Sequence, residues 1–303
     1  GYGWGAIDLW TPPRDRPSVA TGSPMPAELV RERAARCRTD ELMRARRPRR
    51  ITLSHGPDPQ ALDRLAKRAT ELNESYVPAE GRSLDELYRE DFYPKDPSSA
   101  TEWEAYWCHA IEPGLPFHRW LPDFGYGGPD RQPIFQRFTA CNVRTVLCAG
   151  SGISDEPYLW ASAGMNVTAI DFSDMAVQLA KARAHEVSAE GIFYRMLGAE
   201  AAAYEPTGGS IAFECADFRS STGVPGPFDA VVAHYVLQGY GDELEPALTA
   251  LLSRLRPGGL FVASFHNAVD DANRCAALLG ERGFVVFPGD DDRWTAGVFV
   301  STG

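Results

Sequence analysis

The chain has 303 residues, a length that suits one large domain or two modest ones. With 44% hydrophobic and 23% charged residues it has the balance of a soluble globular protein with a real core, which excludes wholesale disorder. Lys and Arg total 30 against 41 Asp and Glu, a formal charge of −11. That sign argues against a general nucleic-acid binder, which must neutralise phosphates.

No apolar run approaches the ~18 residues needed to cross a bilayer, so no membrane association is expected. Gly1–Trp10 lack the charged start and apolar stretch of a secretory signal, and the chain opens without Met. Those features lead to the expectation of a processed or engineered start and a cytoplasmic protein. Cys37, Cys108, Cys141, Cys148, Cys215 and Cys275 are scattered without a C-x-x-C pair, which reads as reduced thiols rather than a disulfide framework. The histidines include no H-x-x-x-H pair, and no metal site is expected.

Residues 1–140 are rich in Pro, Arg and Trp, with weak strand signals. Pro12, Pro13, Pro17, Pro24 and Pro26 favour extended surface chain. Helices are predicted at Ala27–Arg46, Asp58–Asn73 and Leu84–Glu90. The arginines between Arg44 and Arg50 suit a solvated helix end, or contact with a phosphate or acidic partner. An aromatic-dense stretch follows: Trp103, Tyr106, Trp107, His109, Phe117, His118 and Trp120.

From Val143 short apolar runs alternate with helical stretches, the pattern of βαβ units around a parallel sheet. Strands are predicted at Thr145–Ala149, Asn166–Asp171, Ile211–Ala216, Ala230–His234, Leu260–Phe265, Val285–Pro288 and Trp294–Ser301. Helices are predicted at Pro157–Ala163, Met175–His185, Glu243–Leu255 and Ala272–Gly280. Gly258-Gly259 reads as a tight turn, and Ser188–Ser210 as an inserted helix and loop.

The chemistry concentrates at TVLCAGSGISDEP, a strand running into Gly150-Ser151-Gly152 and then a helix start. Glycines there let the backbone bend and approach a ligand closely, and Ser154 or Asp155 can cap the helix. Asp171 ends the second strand, where doubly wound nucleotide domains place a carboxylate for ribose hydroxyls. ECADF places Asp217 after the third strand. FDAVVAHYVLQ ends the fourth at His234-Tyr235, and LRPGGLFVASFHN leads through the fifth to His266.

This ordered set resembles the class I S-adenosylmethionine-dependent methyltransferases over residues 141–303, and more loosely the thiopurine-type methyltransferases. The resemblance implies a Rossmann-like α/β fold with a seven-stranded mixed sheet, preceded by a largely helical region over residues 1–140. It implies S-adenosyl-L-methionine as cofactor, with Gly150, Ser151 and Gly152 along its methionine and ribose part. Asp171 would hold the ribose hydroxyls and Phe172 would pack on adenine. Asp217 would accept from the adenine amino group beside Phe218, and His234 would lie near the sulfonium. The sequence departs from the family at Cys148, where an acidic residue is frequent, and at Ser154, where a third glycine is frequent. Asp155 or Glu156 could stand in for the missing carboxylate, or simply serve the helix start. A dinucleotide-dependent dehydrogenase is the competing fold reading, but it expects G-x-G-x-x-G, and Asp155 occupies the last position.

Methyl transfer needs a base only if the acceptor must lose a proton. His234 and His266 could serve, or could be structural, and Tyr235 could orient the acceptor. Trp103, Tyr106 and Trp107, at helical spacing, fit an acceptor pocket or a core that docks the first region onto the sheet. The expected activity is methyl transfer to a small-molecule hydroxyl, amine or thiol. The alternatives are a peptide or protein methyltransferase, using the Pro- and Arg-rich segment, and a catalytically silent cofactor-binding scaffold.

Overall fold

The computed structural model describes residues 51–61, 94–110, 131–183, 207–220, 223–265, 269–288 and 295–301, with isolated positions between them. The helices predicted at 27–46 and 84–90 and most of the insertion at 188–210 lie outside the described residues, as does His266.

The elements follow in order. β1 (Thr52–Leu53), α1 (Ala100–Ala110) and α2 (Arg131–Ala140) precede the main α/β alternation. Next come β2 (Thr145–Ala149), α3 (Glu156–Ser162), β3 (Asn166–Asp171), α4 (Asp174–Arg183), β4 (Ser210–Cys215) and β5 (Phe228–His234). After a 3₁₀ turn at Gly241–Glu243 come α5 (Leu244–Leu252), β6 (Leu255–Phe265), α6 (Val269–Glu281), β7 (Phe284–Pro288) and β8 (Thr295–Ser301). Each strand read from the sequence is present. Gly258-Gly259 lies inside the span of β6 rather than in a separate turn.

The sheet has eight strands in the order β1-β4-β3-β2-β5-β6-β8-β7. β8 runs antiparallel to both its neighbours, while the pairs from β1 to β6 are parallel. The seven-stranded expectation gains β1, which extends the edge by pairing Thr52 with Ser210 and Leu53 with Ile211. A two-residue strand leaves no periodic signal to read.

β2, β3 and β5 are buried almost without interruption, as parallel strands covered on both faces must be. Alternation along β2 sends Val146 and Cys148 to one apolar layer and Leu147 and Ala149 to the other. The first layer includes Phe138 and Phe135 of α2 against Trp160 of α3, with Phe138 and Trp160 fully buried. α2 was not predicted from the sequence, although Ile134, Phe135 and Phe138 are spaced as one helix face. The boundary expected at residue 140 thus falls between α2 and the sheet that buries its apolar face.

β3 lies on one side of β2 and β5 on the other, so the chain reverses direction across the sheet at β2. The loops leaving the carboxyl ends of β2 and β5 diverge there, and the crevice between them is where doubly wound sheets receive ligands.

Candidate active site

A cavity occupies that crevice. It is lined by the loop after β2, by Asp171 and Phe172 after β3, by Phe218 after β4, and by His234 and Tyr235 leaving β5. Trp103 and Tyr106 of α1 close it from the other direction.

The glycine loop is shaped by contacts that permit no side chain. Gly150 and Gly152 have φ of 56° and 50°, and a Cβ on Gly150 would lie 2.6 Å from Val236 Cγ2. Ser154 Oγ accepts from the Glu156 amide at 3.1 Å, so Ser154 performs the helix-start role, and Pro157 occupies the first turn. Asp155 is fully buried and makes no capping hydrogen bond with its side chain.

Asp171 anchors the glycine-loop side of the cavity. Its Oδ2 accepts from the Gly152 amide and its Oδ1 from the Ser173 amide, each at 2.9 Å. Burial pushes the carboxyl up to about 6 despite those two amides. Beside it, Ser151 Oγ is buried without a hydrogen-bond partner among the described residues. A buried acceptor pair, an orphaned hydroxyl and a side-chain-free loop fit a polar ligand with hydroxyls and charged ends, as the ribose and amino-acid parts of S-adenosylmethionine supply.

The opposite wall holds a polar cluster drawn from four elements. Glu156 Oε1 lies 2.8 Å from His234 Nε2 and 3.3 Å from Arg131 Nε, and all three side chains are buried. His234 Nδ1 lies 2.6 Å from Ser264 Oγ, its register partner across β5 and β6. With a carboxylate at Nε2, the neutral ring carries its proton there and accepts the Ser264 hydroxyl at Nδ1. Burial, with Arg131 adding to it, holds the His234 ring below its ordinary 6.5. Burial works against the ionised form of Glu156, but His234 and Arg131 together outweigh it and the carboxyl lies below its usual value.

The methyltransferase domain family matches residues 147–263 of this chain. That segment spans β2 to β6 and contains both the glycine loop and Asp171. Residues 147–263 are a methyltransferase domain. No curated relative matches the sequence. Among solved structures, magnesium protoporphyrin IX methyltransferase from Synechocystis PCC 6803 with bound SAM is 17% identical, with a TM-score of 0.42, over 74% of this chain and 100% of that one. The N-methyltransferase NodS from Bradyrhizobium japonicum WM9, in complex with S-adenosyl-l-homocysteine, is 17% identical with a TM-score of 0.41, over 73% of this chain and 97% of that one.

The fold brings most of the residues singled out in the sequence to one cavity: Gly150, Ser151, Gly152, Asp171, Phe172, Phe218, His234 and Tyr235. Tyr235 adopts φ 61°, rare for a residue with a Cβ, and its amide donates to Ser264 O at 2.9 Å. Asp217 is placed differently. Its carboxylate takes the Arg219 guanidinium through Nε and Nη2 at 2.6–3.0 Å, and it is not among the residues lining the cavity. Trp103 and Tyr106 pack edge to face at 5.6 Å on the cavity wall, only half-buried, and Trp103 Nε1 donates to Pro97 O at 3.1 Å. Trp107 shares their helix, with its side chain outside the described residues.

Arg131, Ser264 and Tyr240 were missed in the sequence. Ser264 is a small residue in an apolar strand, and only the pairing of β5 with β6 sets it opposite His234. Arg131 begins a helix remote in sequence from the glycine loop, so its pairing with Glu156 carries no spacing signal. Among the described residues no group of His, Cys, Asp and Glu is placed to hold a metal ion, and no helix is long and apolar enough to cross a membrane.

Proposed function

We propose that this methyltransferase acts on a small-molecule hydroxyl, amine or thiol, held between the aromatic residues of α1 and the carboxyl edge of β5. The observation carrying this reading is that Trp103 and Tyr106 line the same cavity as Gly150 and Asp171. Two rigid rings on one wall suit a small planar or apolar acceptor better than a long polar chain.

In this reading Gly150, Ser151 and Gly152 seat the methionine and ribose part of the cofactor, and Asp171 takes the ribose hydroxyls. Phe172 and Phe218 flank the adenine. Asp217, its carboxylate taken by Arg219, is left without the adenine contact expected of it. The cofactor supplies a methyl group already activated on a sulfonium. The chain therefore contributes alignment of the acceptor and exclusion of water, which the buried walls around His234 and Tyr235 provide. His234, with both ring nitrogens held by Glu156 and Ser264, shapes the acceptor wall; Tyr235 orients the acceptor from the adjoining position.

The test is incubation of the full chain with S-adenosylmethionine and a panel of small aromatic alcohols, amines and thiols, with a Pro- and Arg-rich peptide alongside. Mass spectrometry should find one added methyl on a small molecule. Methylation of the peptide alone, or of nothing, rejects the reading.

A further inference from the structure

The Arg131–Glu156–His234 cluster has a feature the cofactor side does not use. Both contacts to Glu156 fall on Oε1, from Arg131 at 3.3 Å and from His234 at 2.8 Å. A carboxylate accepts at both oxygens, and among the described residues no contact falls on Oε2, so a side chain that lines the cavity keeps acceptor capacity there. Burying an ionised carboxylate without partners is costly, and a buried cation and a ring N–H on one oxygen offset that cost while sparing the other.

The surrounding charges favour one kind of guest. The charged side chains lining the cavity are Glu156, Asp171 and Arg131, an excess of negative charge. Arg131 is engaged with Glu156, so its charge is already balanced and an anionic guest would meet the carboxylate beside it. A hydroxyl or an amine N–H meets an acceptor instead. Trp103, Tyr106 and Val232 also line the cavity and offer no competing anion.

We infer that Glu156 is the specificity-determining residue for the methyl acceptor, taking a hydrogen bond from a hydroxyl or amine group, and that Arg131 and His234 are positioning residues that hold it in place. This rests on the reading of the cavity as an acceptor site, and it narrows that reading. Hydroxyl and amine acceptors are selected, and carboxylate acceptors are rejected. Arg131 reaches the cluster from α2, outside residues 147–263, so the element preceding the methyltransferase domain takes part in choosing the acceptor.

The experiment uses the full chain saturated with S-adenosylhomocysteine and three one-ring probes: benzylamine, benzyl alcohol and benzoate. Calorimetric titration should find the amine and alcohol bound about tenfold or more tightly than benzoate, the ratio expected for a hydrogen bond to a charged group. In Glu156→Gln the preference for the amine should collapse, while S-adenosylhomocysteine affinity stays within about threefold. Arg131→Lys should restore more of the preference than Arg131→Ala, because it keeps the cation. Benzoate binding as tightly as the amine overturns the inference but leaves the acceptor cavity standing. A preference that survives Glu156→Gln also overturns it. So does a loss of about tenfold or more in S-adenosylhomocysteine affinity in that variant, which would assign the carboxylate to the cofactor. Failure of all three probes to bind overturns the cavity reading together with the inference. If Glu156→Gln does not fold, the ranking on the unmodified chain decides.

Discussion

The amide of Gly152 donates to Oδ2 of Asp171 at 2.9 Å, joining the glycine loop after β2 to the acidic end of β3 across 19 residues of sequence. The carboxylate therefore sets the loop as well as facing the cavity. Its second oxygen does the same for Ser173 at the entrance to α4.

Asp171→Ala should weaken S-adenosylhomocysteine by about 1.5–3 kcal/mol, the worth of hydrogen bonds to a charged acceptor. Asp171→Asn should lose less, because the amide oxygen still accepts from one backbone N–H. Calorimetry on the folded variants is the check, and unchanged affinity in Asp171→Ala would remove the residue from the cofactor site.

Binding should also follow pH through this group. Its carboxyl is raised from 3.8 to about 6, so the ionised acceptor is present above about pH 6 and is lost as the pH falls through it. S-adenosylhomocysteine affinity should therefore decline on acidification below about pH 6, with proton release on binding in that range. A flat affinity between pH 5 and 7 would show that the cofactor does not depend on this carboxylate.

His234 is shifted downward where Asp171 is shifted upward. Its ring is held below 6.5, so it is neutral at and above that pH, and its neutrality favours the fold there and disfavours it as the pH falls below the unfolded value. Methyl transfer at saturating cofactor should be level upward from about pH 6.5, with no rise assignable to this ring. A sigmoidal rise centred near 6.5 would mean that the ring titrates freely, contrary to its contacts with Glu156 and Ser264. His234→Ala should cost about 1–3 kcal/mol of stability by leaving both partners unsatisfied.

Asp229, the acidic residue of the F-D-A motif, serves the scaffold. Oδ2 accepts from the amides of Arg144 and Thr145 at 2.6 and 2.9 Å, and Oδ1 lies 2.8 Å from Arg256 Nη1 in the R-P-G-G segment. Asp229→Ala should cost about 1.5–3 kcal/mol of stability in urea unfolding. S-adenosylhomocysteine affinity of the fraction that remains folded should be unchanged.

Phe138 tests where the α/β unit begins. It is fully buried, with its ring 4.7 Å from that of Trp160. Phe138→Ala should cost about 3–5 kcal/mol. A fragment starting at residue 141 should be insoluble, because the layer that α2 covers would be exposed. A soluble, cofactor-binding fragment 141–303 would show that α2 is dispensable.

The sequence by itself determined the strands β2 to β8, the glycine loop and the carboxylate at Asp171. Each is local: continuous apolar runs, a run of small residues at a sharp bend, and an acidic residue closing a strand. What the tertiary structure decided is non-local. Strand β1 is two residues long and exists only through its pairing with β4. Asp217 and Arg219 are two residues apart, yet only the folded loop shows the guanidinium covering the carboxylate. The sequence did not show that Ser264 and Glu156 stand at the two nitrogens of His234, one supplied by sheet register and the other by the helix after the glycine loop. Arg131, far upstream of that loop, completes the cluster because the apolar face of α2 must be buried against Trp160, and burying that face carries the guanidinium to the carboxylate.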